Sequence, residues 1–140
     1  MHWLARRLQH IHVLAEQPAA ALPPKANATR GAAAQNLLHE LRALVAEIAE
    51  RDGVSACFAC HEGLVVDSAG NAPDFEALSA MTQRCATSCV EAGAVLALGA
   101  VQHLVVIGSE KKLAVFSLGP LTLGILCPTE VELGRSLAER

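Results

Sequence analysis

The segment between Gly53 and Gly70 predicts a β-hairpin, and this hairpin restricts the fold more than any other part of the chain. Two short runs rich in apolar residues, Val54–Cys60 and Leu64–Ser68, are separated by His61–Glu62–Gly63. A short connection that contains glycine between two such runs is typical of antiparallel strands. One strand pair does not define a fold, so the elements around it decide the class.

Helices are predicted on both sides of this hairpin. From Gln35 to Arg51, leucine, valine and isoleucine recur at the spacing that places them on one face of a helix. A second helix is predicted to begin at Pro73, which fits the first turn of a helix, and to end at Gly99. The hairpin therefore lies between two amphipathic helices.

Three further strands and a closing helix complete the predicted order. The strands are predicted at His103–Gly108, Leu113–Leu118 and Leu121–Cys127. Because the connections between them are short, neighbouring strands are expected to be antiparallel. Thr129 and Glu132 have the spacing of a capping box, which predicts a final helix that continues through Leu137. The order helix, hairpin, helix, three strands, helix describes one small α+β domain.

The first 34 residues are predicted to form a basic N-terminal arm, and residues 35–140 to form the folded domain. Residues 2–16 predict a short helix with Leu4, Leu8 and Ile11 along one side, and the proline-containing stretch after it predicts a linker. Residues 1–30 have a net charge of +3, whereas the remainder has a net charge of −6. One short helix with so few charges is expected to bind an anionic membrane surface weakly.

Composition excludes several classes of function. The 140 residues are enough for one domain, and no apolar run reaches the ~18–20 residues that span a bilayer. A net charge of −3 and only four aromatic side chains argue against a nucleic-acid partner. Charged residues and histidines occupy the place of a secretory signal's apolar core, so the chain is predicted to be cytoplasmic. Five cysteines, an odd number, then favour reduced thiols.

The cysteines are the sharpest chemical signal in the sequence. Cys57 and Cys60 have C-x-x-C spacing, and Cys85 and Cys89 are one helical turn apart, so a metal- or redox-responsive site built from these four is one hypothesis. Within a strand, however, Cys57 and Cys60 point to opposite faces, and no helix follows them to lower a thiol pKa. Buried structural cysteines are the alternative.

No pattern predicts catalysis or a bound cofactor. Nucleophilic catalysis needs Ser, Cys or Thr beside a histidine and a carboxylate, and nothing ties His39, His61, His103 and Asp67 into such a set. Gly93 and Gly99 lack the lysine and the spacing of a phosphate-binding loop. The sequence therefore indicates a binding or scaffolding protein without a cofactor, and not an enzyme.

The order of elements and several short motifs resemble the roadblock/dynein-light-chain family, and in particular its bacterial gliding-motility B-type GTPase regulators. The resemblance covers roughly residues 35–136. The motifs that carry it are Gly53–Ala56, Gly63–Ser68, Ala69–Gly70, Leu98–Gly99, His103–Val106, Leu113–Val115, Leu118–Gly119 and Thr129–Gly134.

This resemblance implies a five-stranded antiparallel sheet, with the middle helix on one face and the terminal helices on the other. It implies a homodimer, or a heterodimer with a second roadblock-like chain, in which the third strands pair; the interface would then be His103, Leu104, Val105, Val106, Ile107 and Gly108. It further implies a small Ras-like GTPase as partner, whose hydrolysis the dimer stimulates. The predicted contact surface on the middle helix is Gln83, Arg84, Thr87, Ser88 and Glu91.

Overall fold

The predicted strands and helices are all present in the computed structural model, which describes residues 2–16 and 28–138, and side chains from Trp3 to Glu16 and from Ala34 to Ala138. In this part of the chain the helices are α1 (His2–Glu16), α2 (Ala28–Ala49), α3 (Phe75–Val95) and α4 (Leu133–Ser136). The strands are β1 (Ala56–His61), β2 (Leu64–Gly70), β3 (His103–Ile107), β4 (Lys111–Leu118) and β5 (Leu121–Pro128).

The five strands form one antiparallel sheet in the order β2-β1-β5-β4-β3. Two tight turns make the hairpins possible. Glu62 and Gly63 have φ angles of 52° and 81° in the β1–β2 turn, and Gly119 has a φ of 63° in the β4–β5 turn. Positive φ at both central residues of the first turn, and at the first central residue of the second, matches the twist of the strands that a two-residue turn connects. The predicted five-stranded antiparallel sheet is confirmed.

The two faces of the sheet are covered by different helices. Cys57 and Ala59 of β1 belong to the buried cluster that includes Leu37 of α2 and Ile11 of α1. Phe58, which points to the opposite face, meets the ring of Phe75 in α3 with ring centres 6.3 Å apart. The middle helix therefore lies on one face and the terminal helices on the other, as predicted.

A glycine makes room for the largest side chain beneath α3. Phe58 is fully buried, and Gly124 is its cross-strand partner on β5. A Cβ atom at position 124 would lie 2.2 Å from Cζ of Phe58, well inside van der Waals contact. Since interiors are close-packed, only glycine fits at position 124 without displacing the ring.

The N-terminal helix is part of the packed core. Leu4 and Ile11 of α1 are buried against α2, with Leu8 packed at the edge of the same cluster. The predicted apolar side of this helix is therefore its buried side. The proline-containing stretch at residues 17–27 lies outside the described residues. The predicted boundary between arm and domain, at residues 34 and 35, falls inside α2; the division itself stays a prediction.

Polar contacts link α1, α2 and the C-terminal segment. The guanidinium carbon of Arg51 lies 4.3 Å from the centre of the Trp3 ring, and Nη1 of Arg51 donates a 2.8 Å hydrogen bond to the carbonyl oxygen of Ala138. Arg7 forms a 2.8 Å ion pair with Glu47. Arg51 is buried, so its cation–π contact is desolvated and stronger than an exposed one.

Two helix boundaries differ from the prediction. The helix α2 begins at Ala28 and not at Gln35, because three successive alanines at 32–34, the best helix formers, extend it. The helix α3 ends at Val95 and not at Gly99. Ala97 adopts a left-handed φ of 55°, and the Leu98 N–H donates to the Gly93 carbonyl at 2.9 Å, which closes the helix.

The predicted capping box before α4 is wrong. The helix is capped by Glu132, whose side chain makes no capping hydrogen bond. Thr129 Oγ1 instead donates a 2.6 Å hydrogen bond to the carbonyl oxygen of Gly108, so it connects the end of β5 to the end of β3. The hydrogen bond to Gly108, which is distant in sequence, thus replaces the local capping bond that Thr129 was predicted to make. At α3 the cap is Asp74, which accepts from the Ala77 N–H at 3.0 Å.

Candidate partner-binding surfaces

Strand β3 forms an unprotected apolar edge of the sheet. Within the described residues its one neighbour is β4, so its other backbone edge faces away from the sheet. His103–Ile107 contains no Pro, Asp, Glu, Lys or Arg, and Val106 and Ile107 are 49% and 68% exposed. Natural edge strands usually carry charges, prolines or covering segments that prevent pairing with another chain. The edge of β3 therefore has the properties of an interface.

The register shows which side chains of β3 share a face with α3. Phe58 pairs with Gly124, Gly124 pairs with Val115, and Val115 pairs with Leu104. Directly opposed residues point to the same face of a sheet. Leu104 and Val106 therefore lie on the face that α3 partly covers, and the alternate residues of β3 lie on the other face.

On that other face, a histidine links β3 to β4. The imidazole of His103 stacks on the ring of Phe116, with centres 5.7 Å apart. Beside this pair, a groove of about 530 Å³ runs between the edge strand and α1, and Leu8 and His12 line its helical side. The groove borders the predicted interface strand.

The five residues predicted on the middle helix lie together on the outer surface of α3. Gln83, Arg84, Thr87, Ser88 and Glu91 line a shallow depression of about 280 Å³. Thr87 Oγ1 donates a 3.0 Å hydrogen bond to the Gln83 carbonyl one turn earlier, so this hydroxyl is held against the helix. Arg84 and Glu91 are exposed. The surface is polar, with both signs of charge.

A larger groove, which the sequence did not predict, continues from this surface. Its volume is about 550 Å³, and it lies between α3 and the two turns at one end of the sheet. Residues from α3 share it with Glu62 of the β1–β2 turn and Pro120 of the β4–β5 turn. No local pattern indicates such a groove, because its walls come from three segments that are distant in sequence.

Large apolar side chains are exposed at the C-terminal end of α3. Val95, Leu96 and Leu98 are each more than 60% exposed. Exposed apolar residues that lie close together indicate an interaction site more than scattered single residues do. The sequence did not predict this exposed group, because the helix was expected to continue to Gly99 and to include Val95, Leu96 and Leu98.

The structure does not bring the four candidate cysteine ligands together. Cys57 and Cys60 are buried on opposite faces of β1, whereas Cys85 is exposed and Cys89 is half-buried on α3. Among residues 2–16 and 28–138, no group of three or more His, Cys, Asp or Glu side chains is arranged to hold a metal ion. The histidines considered for catalysis are likewise dispersed, with His39 on α2, His61 at the end of β1 and His103 on β3.

Burial suppresses the ionisation of three cysteines. It raises the pKa of the thiols of Cys57, Cys60 and Cys127 above the ordinary value of 9.0, and the Asp67 carboxylate adds to the rise at Cys57. These thiols remain protonated near neutral pH, so they are poor nucleophiles and poor metal ligands in the folded chain.

These raised pKa values predict loss of stability at alkaline pH. The folded state keeps the protons that the unfolded chain releases near pH 9, so the stabilising contribution is complete below that pH and is lost as the pH rises toward the folded pKa. The buried Cys57 thiol should lower the free energy of unfolding by about 1.4 kcal/mol per pH unit in this range. Urea unfolding from pH 7 to pH 10.5 would measure the slope.

Cys57→Ala should reduce this slope, and Val13→Ala, at a half-exposed position without a titratable group, should leave it unchanged. Equal slopes in the wild-type chain and in Cys57→Ala would contradict the assignment of the pH dependence to the buried thiol.

No helix in the described residues is long and apolar enough to cross a membrane. No protein-family model matches the sequence. No curated protein matches it either.

An antiparallel sheet of this order, with one helix on one face and the terminal helices on the other, is the roadblock fold. The structure resembles the crystal structure of the Roadblock/LC7 domain from Streptomyces avermitilis, with a TM-score of 0.61 and 19% sequence identity, over 67% of this chain and 82% of that chain.

Two gliding-motility proteins share the fold. The structure matches Myxococcus xanthus MglB with a TM-score of 0.63 and 15% identity, over 69% of this chain and 76% of that chain. It matches the gliding protein MglB from Thermus thermophilus with a TM-score of 0.60 and 18% identity, over 67% of this chain and 75% of that chain. A further match is described as MglB with a tetrameric arrangement. The resemblance drawn from the sequence is thus confirmed at the level of fold.

Proposed function

We propose that this chain is a non-catalytic, dimeric adaptor of the roadblock type that binds a small Ras-like GTPase in the cytoplasm through protein–protein contacts. The observation that carries the proposal is the unprotected apolar edge of β3 on a roadblock fold. The proposed adaptor works without a cofactor or a metal ion, and it regulates the GTPase, including by stimulating hydrolysis.

The dimer interface of the proposal is His103–Gly108. Pairing of two β3 strands across a twofold axis would satisfy the free backbone edge and join two five-stranded sheets into one. It would also cover the exposed parts of Val106 and Ile107. Self-association of the related fold, described for MglB in a tetrameric arrangement, supports this part of the proposal. A second roadblock-like chain with a similar free β3 edge could equally be the dimer partner.

The GTPase-binding surface of the proposal is the outer side of α3. The five residues that line its shallow depression offer hydrogen-bond donors, acceptors and both charges, as interfaces with polar partners do. The groove beside Glu62 and Pro120 extends this surface toward one end of the sheet. Likeness of fold to the MglB proteins supports a GTPase as the class of partner. Arg84 acts in this proposal as a contact residue, and stimulation of hydrolysis comes from reorganisation of the GTPase.

Arg84→Glu should weaken binding of the GTPase at least about tenfold, which corresponds to about 1.4 kcal/mol. Arginine is enriched among residues whose loss costs most binding energy, and reversal of its charge adds repulsion to the lost contact. Titration calorimetry with the purified GTPase would measure the change.

Arg42→Glu is the matched control, because Arg42 is exposed on α2 at the opposite face of the sheet and undergoes the same change of charge. Affinity that is unchanged by Arg84→Glu, or reduced equally by the two variants, would remove Arg84 from the proposed surface.

The function itself is tested by binding to small Ras-like GTPases from the same cell. Each GTPase is loaded with GDP or with a non-hydrolysable GTP analogue and titrated with the intact chain. We expect one GTPase to bind with nucleotide-dependent affinity and its single-turnover GTP hydrolysis to accelerate. If a chain that is dimeric in solution binds none of them in either nucleotide state, the adaptor proposal fails.

A further inference from the structure

The backbone groups at the free edge of β3 belong to alternate residues of the strand. At its two ends, the Gly108 N–H donates to the Lys111 carbonyl at 2.8 Å, and the Gln102 carbonyl accepts from the Ser117 N–H at 3.3 Å. In an antiparallel pair, the N–H and C=O of one residue point to the same side, and successive residues alternate between the two sides. The even-numbered residues of β3 therefore bond to β4. The residues that present their backbone groups at the free edge are His103, Val105 and Ile107.

A second β3 strand can satisfy all of these groups in one register. With a twofold axis at Val105, His103 of each copy pairs with Ile107 of the other, and the two Val105 residues pair with each other. The N–H and C=O of all three residues then form hydrogen bonds within the strand pair. An axis at any other residue of β3 leaves at least one of the three without a partner in the second β3 strand. The free backbone groups thus favour the register centred on Val105.

This register places Ile107 of the second copy beside His103, on the sheet face that carries α1. His103 is opposed to Phe116, Phe116 to Leu123, and Leu123 to Ala59. Ala59 belongs to the buried cluster formed with α1 and α2, and directly opposed residues point to the same face. In a hydrogen-bonded pair the two Cα atoms are about 5.5 Å apart. Ile107 of the second copy would therefore meet the groove that lies beside His103.

That groove suits an aliphatic side chain. Its volume is about 530 Å³, and Leu8 of α1, Val101 and Phe116 are among its walls. The described residues that line it include no Asp, Glu, Lys or Arg. Ile107 is 68% exposed in the single chain, so most of its side chain is in water. Transfer of such a side chain into an apolar groove removes apolar surface from water on both copies, which is favourable.

We propose that the groove between α1 and the start of β3 receives Ile107 of a second copy of this chain; this inference rests on the proposed homodimer. The twofold axis gives each copy one groove and one Ile107, so the contact occurs twice. The turn that follows Ile107 in the second copy then runs beside residues 100–102, which line the same groove. The helix α1 precedes the part of the chain that resembles the roadblock family. It thus adds to the dimer a contact that a roadblock-like chain without this helix lacks.

Ala5→Arg tests the groove without changing β3. Ala5 is exposed on α1 and lines the groove, so an arginine there should occupy the space of the incoming side chain. We expect the dissociation constant of the dimer, measured by sedimentation velocity, to rise at least about tenfold. Val13→Arg is the matched control, since Val13 is 50% exposed on the same helix and is not among the residues that line the groove. Its dissociation constant should remain close to that of the wild-type chain, and thermal melts would verify that both variants fold.

Ile107→Ala should also weaken the dimer, and its effect should largely disappear in the Ala5→Arg background. Two substitutions that remove the same contact are not additive, whereas substitutions at independent sites are. Full additivity of the two effects would contradict a contact between Ile107 and the groove.

A photoreactive benzoylphenylalanine in place of Ile107 tests the contact directly. Irradiation of the full chain is expected to give a covalent species of twice 14.7 kDa. After digestion with trypsin, the cross-linked partner should be the peptide that begins at Leu8, the residue after Arg7. Restriction to the species of double mass excludes links within one copy.

The results separate this inference from the proposed function. A dimer that Ala5→Arg weakens no more than Val13→Arg, or whose cross-links from position 107 fall outside α1, overturns the inference and leaves the dimeric adaptor standing. A chain that is monomeric at all concentrations contradicts both the homodimer and the contact in the groove.

Discussion

Replacement of Val105 by glutamate is expected to weaken the homodimer at least about 100-fold, or about 2.7 kcal/mol. Val105 is the middle residue of β3 and is 49% exposed. Two β3 strands that pair about their centres place the two residues at position 105 side by side. Two carboxylates would then be opposed at an interface that removes them from water, and like charges directly opposite each other destabilise paired strands. Sedimentation velocity over a concentration series would measure the dissociation constant.

Leu64→Glu is the matched control for this variant. Leu64 is 73% exposed on β2, the strand at the opposite edge of the sheet, and the same charge is introduced there. We expect the dissociation constant of Leu64→Glu to remain close to that of the wild-type chain. Equal weakening by both substitutions would contradict β3 as the interface, and thermal melts of both variants would show whether the fold is intact.

Replacement of Ile11 by alanine should lower the free energy of unfolding by about 2–5 kcal/mol, the usual cost of removing a large buried aliphatic side chain. Ile11 is 0% exposed, and it packs with α2 and the sheet in one cluster. The expected loss is a large part of a small domain's total stability. Urea unfolding followed by circular dichroism should show a single transition at lower denaturant, because α1 and the sheet share a core.

Val13→Ala provides the comparison within the same helix. Val13 is 50% exposed, so the expected change is within about 0.5 kcal/mol. If Ile11→Ala is equally mild, or if α1 unfolds separately before the sheet, then residues 2–16 form an arm that is independent of the domain. A large effect of Ile11→Ala together with a small effect of Val13→Ala would instead show that α1 unfolds cooperatively with the sheet.

The candidate surface on α3 was predicted from the family resemblance, which implies a contact surface on the less apolar side of the middle helix. Its residues are Gln83, Arg84, Thr87, Ser88 and Glu91, and the structure places them around one depression. The groove that continues to Glu62 and Pro120 had no such signal. Helical periodicity describes one element, whereas this groove requires the turns of two hairpins to meet α3.

For the cysteines too, the sequence predicted one feature and the tertiary structure decided another. Alternation along a strand was enough to place Cys57 and Cys60 on opposite faces of β1. The accessibility of Cys85 depends on how α3 rotates against the sheet, and the buried Ser79, Thr82 and Gly93 define that rotation. A stripe of moderate hydrophobicity does not by itself tell which side of the helix is covered.

By itself, the sequence determined the order of strands and helices, the tight hairpin at Glu62–Gly63 and the apolar side of α2, because each depends on neighbouring residues. The tertiary structure alone decided the order of strands in the sheet and the docking of α1. It also decided the end of α3 at Ala97 and the replacement of the Thr129 cap by a bond to Gly108. Those features depend on contacts between distant residues, where burial and long-range hydrogen bonds outweigh local preferences of a few tenths to about 1 kcal/mol.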